Sequence, residues 1–215
     1  MATGLSLVNS VLQRLRKDTI TSIGATDKYS NLILSFVNEA KREVEDAWDW
    51  LSLRDTITVN TIQGTTNYRL TGSGQRCRIL NVYNKTKLND VYLAPHRFID
   101  SVLKLTTPSQ GTVGYYRVRG QTSGDHNIDV LNVPDGVQVL DFECVIPQAD
   151  LTSGDTLIVQ DNVVILGAWA KAVSERGEDG GQNTSEQYGM YQAALSDAIA
   201  IDANKVPDEI VWEVY

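Results

Sequence analysis

Histidine, cysteine and long apolar runs are scarce in this 215-residue chain, and each scarcity excludes something. The only histidines are His96 and His126, and the only cysteines are Cys77 and Cys144. No HExxH or CxxC occurs, so the ligand spacings of a zinc centre are missing. Two cysteines make no disulfide framework. They fit a chain made in a reducing cytosol, where both serve as small buried hydrophobes. No run approaches the roughly 20 apolar residues that cross a bilayer. The opening MATGLSLVNSVLQRLRK has neither the basic n-region nor the unbroken apolar stretch of a signal peptide. Catalytic signatures are missing too. There is no GxSxG elbow, and Gly72-Ser73-Gly74 belongs to neither a P-loop nor a dinucleotide fingerprint, so it reads as a turn. Asp125-His126-Asn127-Ile128-Asp129 opens like a calcium loop. Val130 then stands where that loop needs glycine, and Gly136 where it needs a bidentate glutamate, so the stretch reads as polar strand. Glu39, Glu43 and Asp46 adjoin on a helix and read as a solvated face rather than an acid–base pair. The expectation is no catalytic centre, no cofactor and no metal.

Basic residues are scarce in one part of the chain only. The net charge is −8, with 42% hydrophobic and 21% charged residues, enough apolar content for a core and too much for disorder. Residues 1–50 carry six Lys/Arg against seven Asp/Glu, and residues 51–150 carry ten against nine. Residues 151–215 carry three against eleven, so the net acidity lies entirely there. Tight nucleic-acid binding needs clustered phosphate contacts, and an acidic surface repels DNA.

What the chain does have is a change of period, from helix to strand and back. Leu5, Val8, Val11, Leu12 and Leu15 predict a short amphipathic helix. Leu32, Ile33, Phe36, Val37, Ala40, Val44, Ala47 and Trp48 predict a second, from about Ser30 to Trp50. Alternation then starts. Thr56–Val59 and Thr66–Leu70 predict a hairpin across Gln63-Gly64-Thr65. Arg78–Tyr83, Val91–Leu93 and Gly114–Arg119 predict further strands, with a short helix from Pro95 to Leu103. Asn127–Val133 and Val137–Ile146 predict a hairpin across Pro134-Asp135-Gly136, with Leu140, Phe142, Cys144 and Ile146 on one face. Helical spacing returns at Val163, apolar or small nearly all round to Val173, as in a helix buried on several sides or at a subunit contact. Thr184 is placed to cap a last helix.

The expected fold is α+β. Residues 1–52 and 156–203 make a discontinuous helical bundle, residues 53–155 an inserted small antiparallel β domain, sandwich or barrel, and residues 204–215 an extended C-terminal tail. Apolar residues where solvent is expected are the candidate contacts. Trp48 and Trp50 should point about 160° apart on the second helix, at about 100° per residue, so one needs cover from another part of the chain or a subunit. Trp169 joins them as an interdomain or subunit contact. In the tail, Ile210, Val211, Trp212, Val214 and Tyr215 follow Pro207 with no later element to pack on. Their expected role is docking on another subunit or a partner.

Phe36-Val37-Asn38-Glu39-Ala40, then Trp48-Asp49-Trp50-Leu51, then strands closing at Tyr68-Arg69-Leu70, resemble the opening of short-tailed bacteriophage head-to-tail adaptors, also called connector or tail tubular protein A. Val130-Leu131-Asn132-Val133-Pro134-Asp135, a strand, Leu151, Asp155 and Gly167-Ala168-Trp169-Ala170-Lys171-Ala172 resemble their second half. Family strands often close in Y-x-L-P, and Thr71 stands here in the proline's place. The resemblance covers about residues 5–203. It implies a structural virion protein of the tail, assembled in the bacterial cytoplasm. It further implies a ring of this chain, commonly twelve copies, between the portal and the tail nozzle protein, with tail fibres or spikes carried at the side and DNA passing non-specifically through the channel. No membrane partner is implied. The acidic last section suits a channel wall that must not hold DNA, with Glu175, Glu178 and Asp179 as candidate channel-facing acids. The alternatives are a receptor- or carbohydrate-binding tail module, for which Tyr115-Tyr116 is the candidate aromatic pair, a head-completion protein of a long-tailed phage, and a carboxylate hydrolase.

Overall fold

The computed structural model describes residues 2–24, 26–103, 109–176 and 182–205. Among these residues five α-helices run α1 Gly4–Arg14, α2 Lys28–Ala47, α3 His96–Leu103, α4 Asp161–Arg176 and α5 Gln182–Ala203. The strands are β1 Arg54–Asn60, β2 Asn67–Arg69, β3 Arg78–Asn84, β4 Asn89–Asp90, β5 Tyr92–Leu93, β6 Gln110–Gly111, β7 Tyr115–Thr122, β8 Asp125–Leu131, β9 Val133–Pro134 and β10 Val139–Val145. This is the mixed α+β class expected from the change of period, with helices from both ends of the chain packing together. The chain forms two compact units, Met1–Ser52 with Gln148–Tyr215, and Leu53–Pro147.

In the helical unit α4 touches α1, α2 and α5, and α1 touches α2. Thr3 caps α1 by accepting from the Ser6 N–H, and Asp27 caps α2 by accepting from the N–H and hydroxyl of Ser30. The Ser30 hydroxyl and N–H hold the Asp27 carboxyl below the usual range. Leu7, Val8, Val11 and Leu12 of α1, Ile33, Val37, Ala40 and Val44 of α2, and Val163, Val164, Ala168 and Ala172 of α4 are all buried where these helices touch. Gly167 permits that approach. A Cβ there would stand 3.0 Å from the Ala40 Cβ and 3.0 Å from the Tyr191 ring. Residues 148–157 pack here as well. The N–H groups of Gly4 and Leu5 donate to the carbonyls of Asp155 and Ser153, and Asn38 exchanges hydrogen bonds with the Leu151 backbone. A fully buried ion pair anchors the return from the strands. Lys41 bonds Glu45 at 3.0 Å and the Gln148 carbonyl at 2.6 Å, while Glu45 accepts from the Gln148 N–H at 3.1 Å.

The β unit is two four-stranded sheets, ordered β1-β10-β3-β4 and β2-β8-β7-β5, with a small β6-β9 pair beside them. Pairing is antiparallel except β5 with β7 and β6 with β9. Inward residues of both sheets share one core that includes Val59, Val82, Leu140, Phe142 and Cys144 from one and Tyr68, Tyr116, Ile128 and Val130 from the other.

Neither expected hairpin forms. β1 pairs with β10 while β2 pairs with β8, so the turn at Gly64 carries the chain from one sheet to the other. Likewise β8 and β10, flanking Pro134-Asp135-Gly136, lie in different sheets. Turn chemistry dictates only that the chain reverses. Crossing between sheets lets both alternating runs bury their apolar faces in the same core. α5 begins at Gln182, so Thr184 is a helical residue and not its cap.

Candidate partner-binding surfaces

In the helical unit, α5 is held mainly through one side. Tyr191, Ala198 and Asp202 are buried, whereas Tyr188, Met190 and Ile201 are about half exposed. Small residues Gly189, Ala193, Ser196 and Ala200 are exposed with them. Beside this helix is a cleft of about 140 Å³ lined by Glu43, Gly167, Ala170, Lys171, Ser174, Tyr188 and Tyr191. Lys171 pairs there with Glu43 at 2.8 Å and Glu39 at 3.6 Å. Burial opposes its charge, but the two carboxylates outweigh burial and hold its pKa above the ordinary value. Burial, then the Glu43 charge, pushes the Tyr191 hydroxyl upward as well. The cation is thus already matched by two carboxylates.

The tryptophans separate by environment. α2 ends at Ala47, and Trp48 is its extended cap residue, so the helical angle between Trp48 and Trp50 does not apply. Trp50 is 2% exposed and its indole N–H donates to the Val44 carbonyl at 2.6 Å. Trp48 is 37% exposed. Trp169 is partly buried, with the Arg14 guanidinium 5.5 Å above its ring. Glu175 is exposed near the end of α4. Glu178 and Asp179, and the tail residues Ile210, Val211, Trp212, Val214 and Tyr215, lie outside the described residues.

Two apolar surfaces stand on the β unit. The end of the first sheet, where β1 and β3 finish and β10 starts, exposes Ile62, Leu88 and Val137. Gln138 holds these loops together. Its fully buried amide accepts from Asn84 and the Val113 N–H and donates to the Gly111 carbonyl and Asp135, and its own N–H donates to Thr61. At the other surface Tyr92, Phe98 and Tyr115 form an exposed aromatic ledge, with ring centroids 6.5 Å and 5.5 Å from Tyr115. Tyr115-Tyr116, the candidate aromatic pair of the carbohydrate-binding alternative, does not face solvent together. Strand alternation turns Tyr116 into the core, at 5% exposure, edge-on to Phe142. The real partners of Tyr115 come from β5 and α3. The alternation of β5 and β7 was readable from sequence, but their parallel pairing was not.

α3 is fastened over the same face. Arg117 donates to the His96 carbonyl at 3.1 Å and pairs with Asp100 at 2.6 Å and Asp129 at 2.8 Å. Burial opposes the guanidinium's charge, and the two aspartates more than offset it. Among the described residues no cluster of His, Cys, Asp or Glu could hold a metal ion, and no helix is long and apolar enough to cross a membrane.

Exposed apolar surfaces of this kind suit assembly. A family model described as SU10 adaptor protein matches residues 2–210, nearly the whole chain. The chain belongs to the SU10 adaptor protein family. That makes it a phage head-to-tail adaptor, a structural protein of the virion that binds portal and tail components. No curated protein matches the chain. The adaptor's helical unit and β unit therefore each carry exposed surface of the kind that assembly uses.

Proposed function

We propose that this adaptor forms a homo-oligomeric ring, with twelve copies the expected number, seated between the portal and the tail nozzle. The observation that carries the reading is the exposed side of α5, where the small residues Gly189, Ala193, Ser196 and Ala200 lie with Met190 and Ile201 at its margin, on a helix with no partner on that side among the described residues. A neighbouring subunit would cover it, because an apolar face gains by leaving water at roughly 25 cal/mol per Å². Trp48, left partly exposed, and Trp169 are proposed as further contacts. The acid excess of residues 151–215 supports a channel wall that passes DNA without holding it, with Glu175, Glu178 and Asp179 facing the lumen. The β unit is proposed to carry fibres or spikes laterally. Its exposed Ile62, Leu88 and Val137 lie on loops that can vary without disturbing the helices. The segment of Ile210, Val211, Trp212, Val214 and Tyr215 is proposed to dock on the portal or a neighbouring subunit.

Electron microscopy of the full chain with portal tests the ring. Ala193→Glu with Ala200→Glu, on the exposed side of α5, should abolish the ring while leaving the helical content unchanged. Truncation after Asn204 should keep the fold and melting temperature but abolish portal attachment. A chain that stays monomeric beside an intact portal ring would sink the reading.

A further inference from the structure

The second sheet ends on an open edge. The N–H groups of Tyr92 and Ala94 donate to the Gly114 and Tyr116 carbonyls of the β7 strand region, so the alternate N–H and carbonyl, those of Leu93, point away from the sheet. On that side the Val91 N–H donates to the Val82 carbonyl of β3, and past that point no strand lies beside β5 among the described residues. Leu93 is 67% exposed and Tyr92 63%. An open edge bordered by large apolar side chains is a ready template for another extended segment. The aromatic rings narrow the choice of occupant. Tyr92 and Phe98 lie at 49° and 73° to the Tyr115 ring. Such tilted rings form notches that accept side chains end-on rather than one continuous flat surface. The rim offers cations. Arg97, next to Phe98, is exposed and has no ion-pair partner among the described residues, and Arg119 further along β7 is 64% exposed, with Asp129 3.8 Å away.

One segment of this chain has the complementary chemistry. After Pro207, Ile210, Trp212 and Val214 alternate with Val211, Glu213 and Tyr215, and Asp208, Glu209 and Glu213 are its charges, with no base among them. We propose that the ledge of Tyr92, Phe98 and Tyr115 is the seat for residues 208–215 of a second copy, added as a strand beside β5. The docked segment sets Ile210, Trp212 and Val214 against the rings, and its acids meet Arg97 and Arg119. Leu93 supplies the backbone donor and acceptor. This rests on the ring reading and names which neighbouring surface the segment takes.

The test places a benzophenone amino acid at position 212 of the full chain. Light and heavy nitrogen-labelled chains are mixed, irradiated free and on the portal, and mapped by mass spectrometry. Adducts joining a light to a heavy chain within residues 91–98 or at position 115 are expected. Tyr92→Ser with Tyr115→Ser should lower their yield about tenfold, as loss of an interface hot spot does. Tyr115→Phe should restore it, and unchanged circular dichroism would show that the sheet survives. Adducts confined to the portal, to one chain or to another surface overturn the inference. A ring seen by microscopy without ledge adducts overturns this inference alone, whereas ledge adducts without a ring leave the docking standing and remove the ring.

Discussion

Buried polar side chains do most to fix the β unit's loops, and they are where single substitutions should cost most. Gln138 uses every polar atom of its amide and its backbone N–H. Gln138→Leu keeps the volume but strands the Asn84 amide and the Val113 N–H, at about 1–3 kcal/mol per unsatisfied group. Urea denaturation should show a loss of that order, and the exposed loop end with Ile62, Leu88 and Val137 should become protease-sensitive. Asp125 is a second such centre. It accepts from Arg69 and from the N–H groups of Gly72 and Gly74, whose positive φ of 87° and 70° suits glycine alone. Burial works against its charge, yet Arg69 and the two N–H groups win and hold its pKa below the ordinary 3.8. A lowered native pKa means stability present above the unfolded value and lost as pH falls through the native one. Asp125→Asn should therefore destabilise the protein at neutral pH and flatten the acid limb of urea midpoints measured down to about pH 2.

Among the elements, α4 is decided by fit and α5 by exposure. Gly167 costs helix propensity, roughly 1 kcal/mol against alanine, and stands where a Cβ would crowd Ala40 and Tyr191. Gly167→Leu should destabilise the helical unit by about 1–3 kcal/mol, as overpacking does. Gly189, on the exposed side of α5, has nothing within 4 Å of an added Cβ. Gly189→Ala should therefore stabilise the isolated chain by about 0.5–1 kcal/mol. Thermal melts of the two variants should move in opposite directions. If the Gly189 variant also fails to join a ring, that side of α5 is in the subunit contact.

For the molecule as a whole, charge placement makes its own prediction. If the acidic last section faces passing DNA, Glu175→Lys, Glu178→Lys and Asp179→Lys together should make assembled rings retain DNA in a gel shift. The retention should weaken steeply as salt is raised, because phosphate contacts release counterions. Unchanged mobility at low salt would place these acids elsewhere on the particle.

Periodicity alone was enough to read the helical ends and the stranded middle, because amphipathic spacing is a local property that survives whatever the element packs against. The lack of metal and catalytic spacings and the acid-rich last section were equally open to reading, and so was the resemblance to head-to-tail adaptors. The partner of each strand was not. β1 and β10 find each other across 78 intervening positions in the register from Asn60 to Val139, and no local turn specifies such a choice. For the same reason Tyr115 reads as the mate of Tyr116, while the fold turns Tyr116 inward and brings Tyr92 and Phe98 from elsewhere. Side-chain alternation is written residue by residue. Which strands meet, and so which aromatics share a surface, is decided by how two sheets bury their inner faces together.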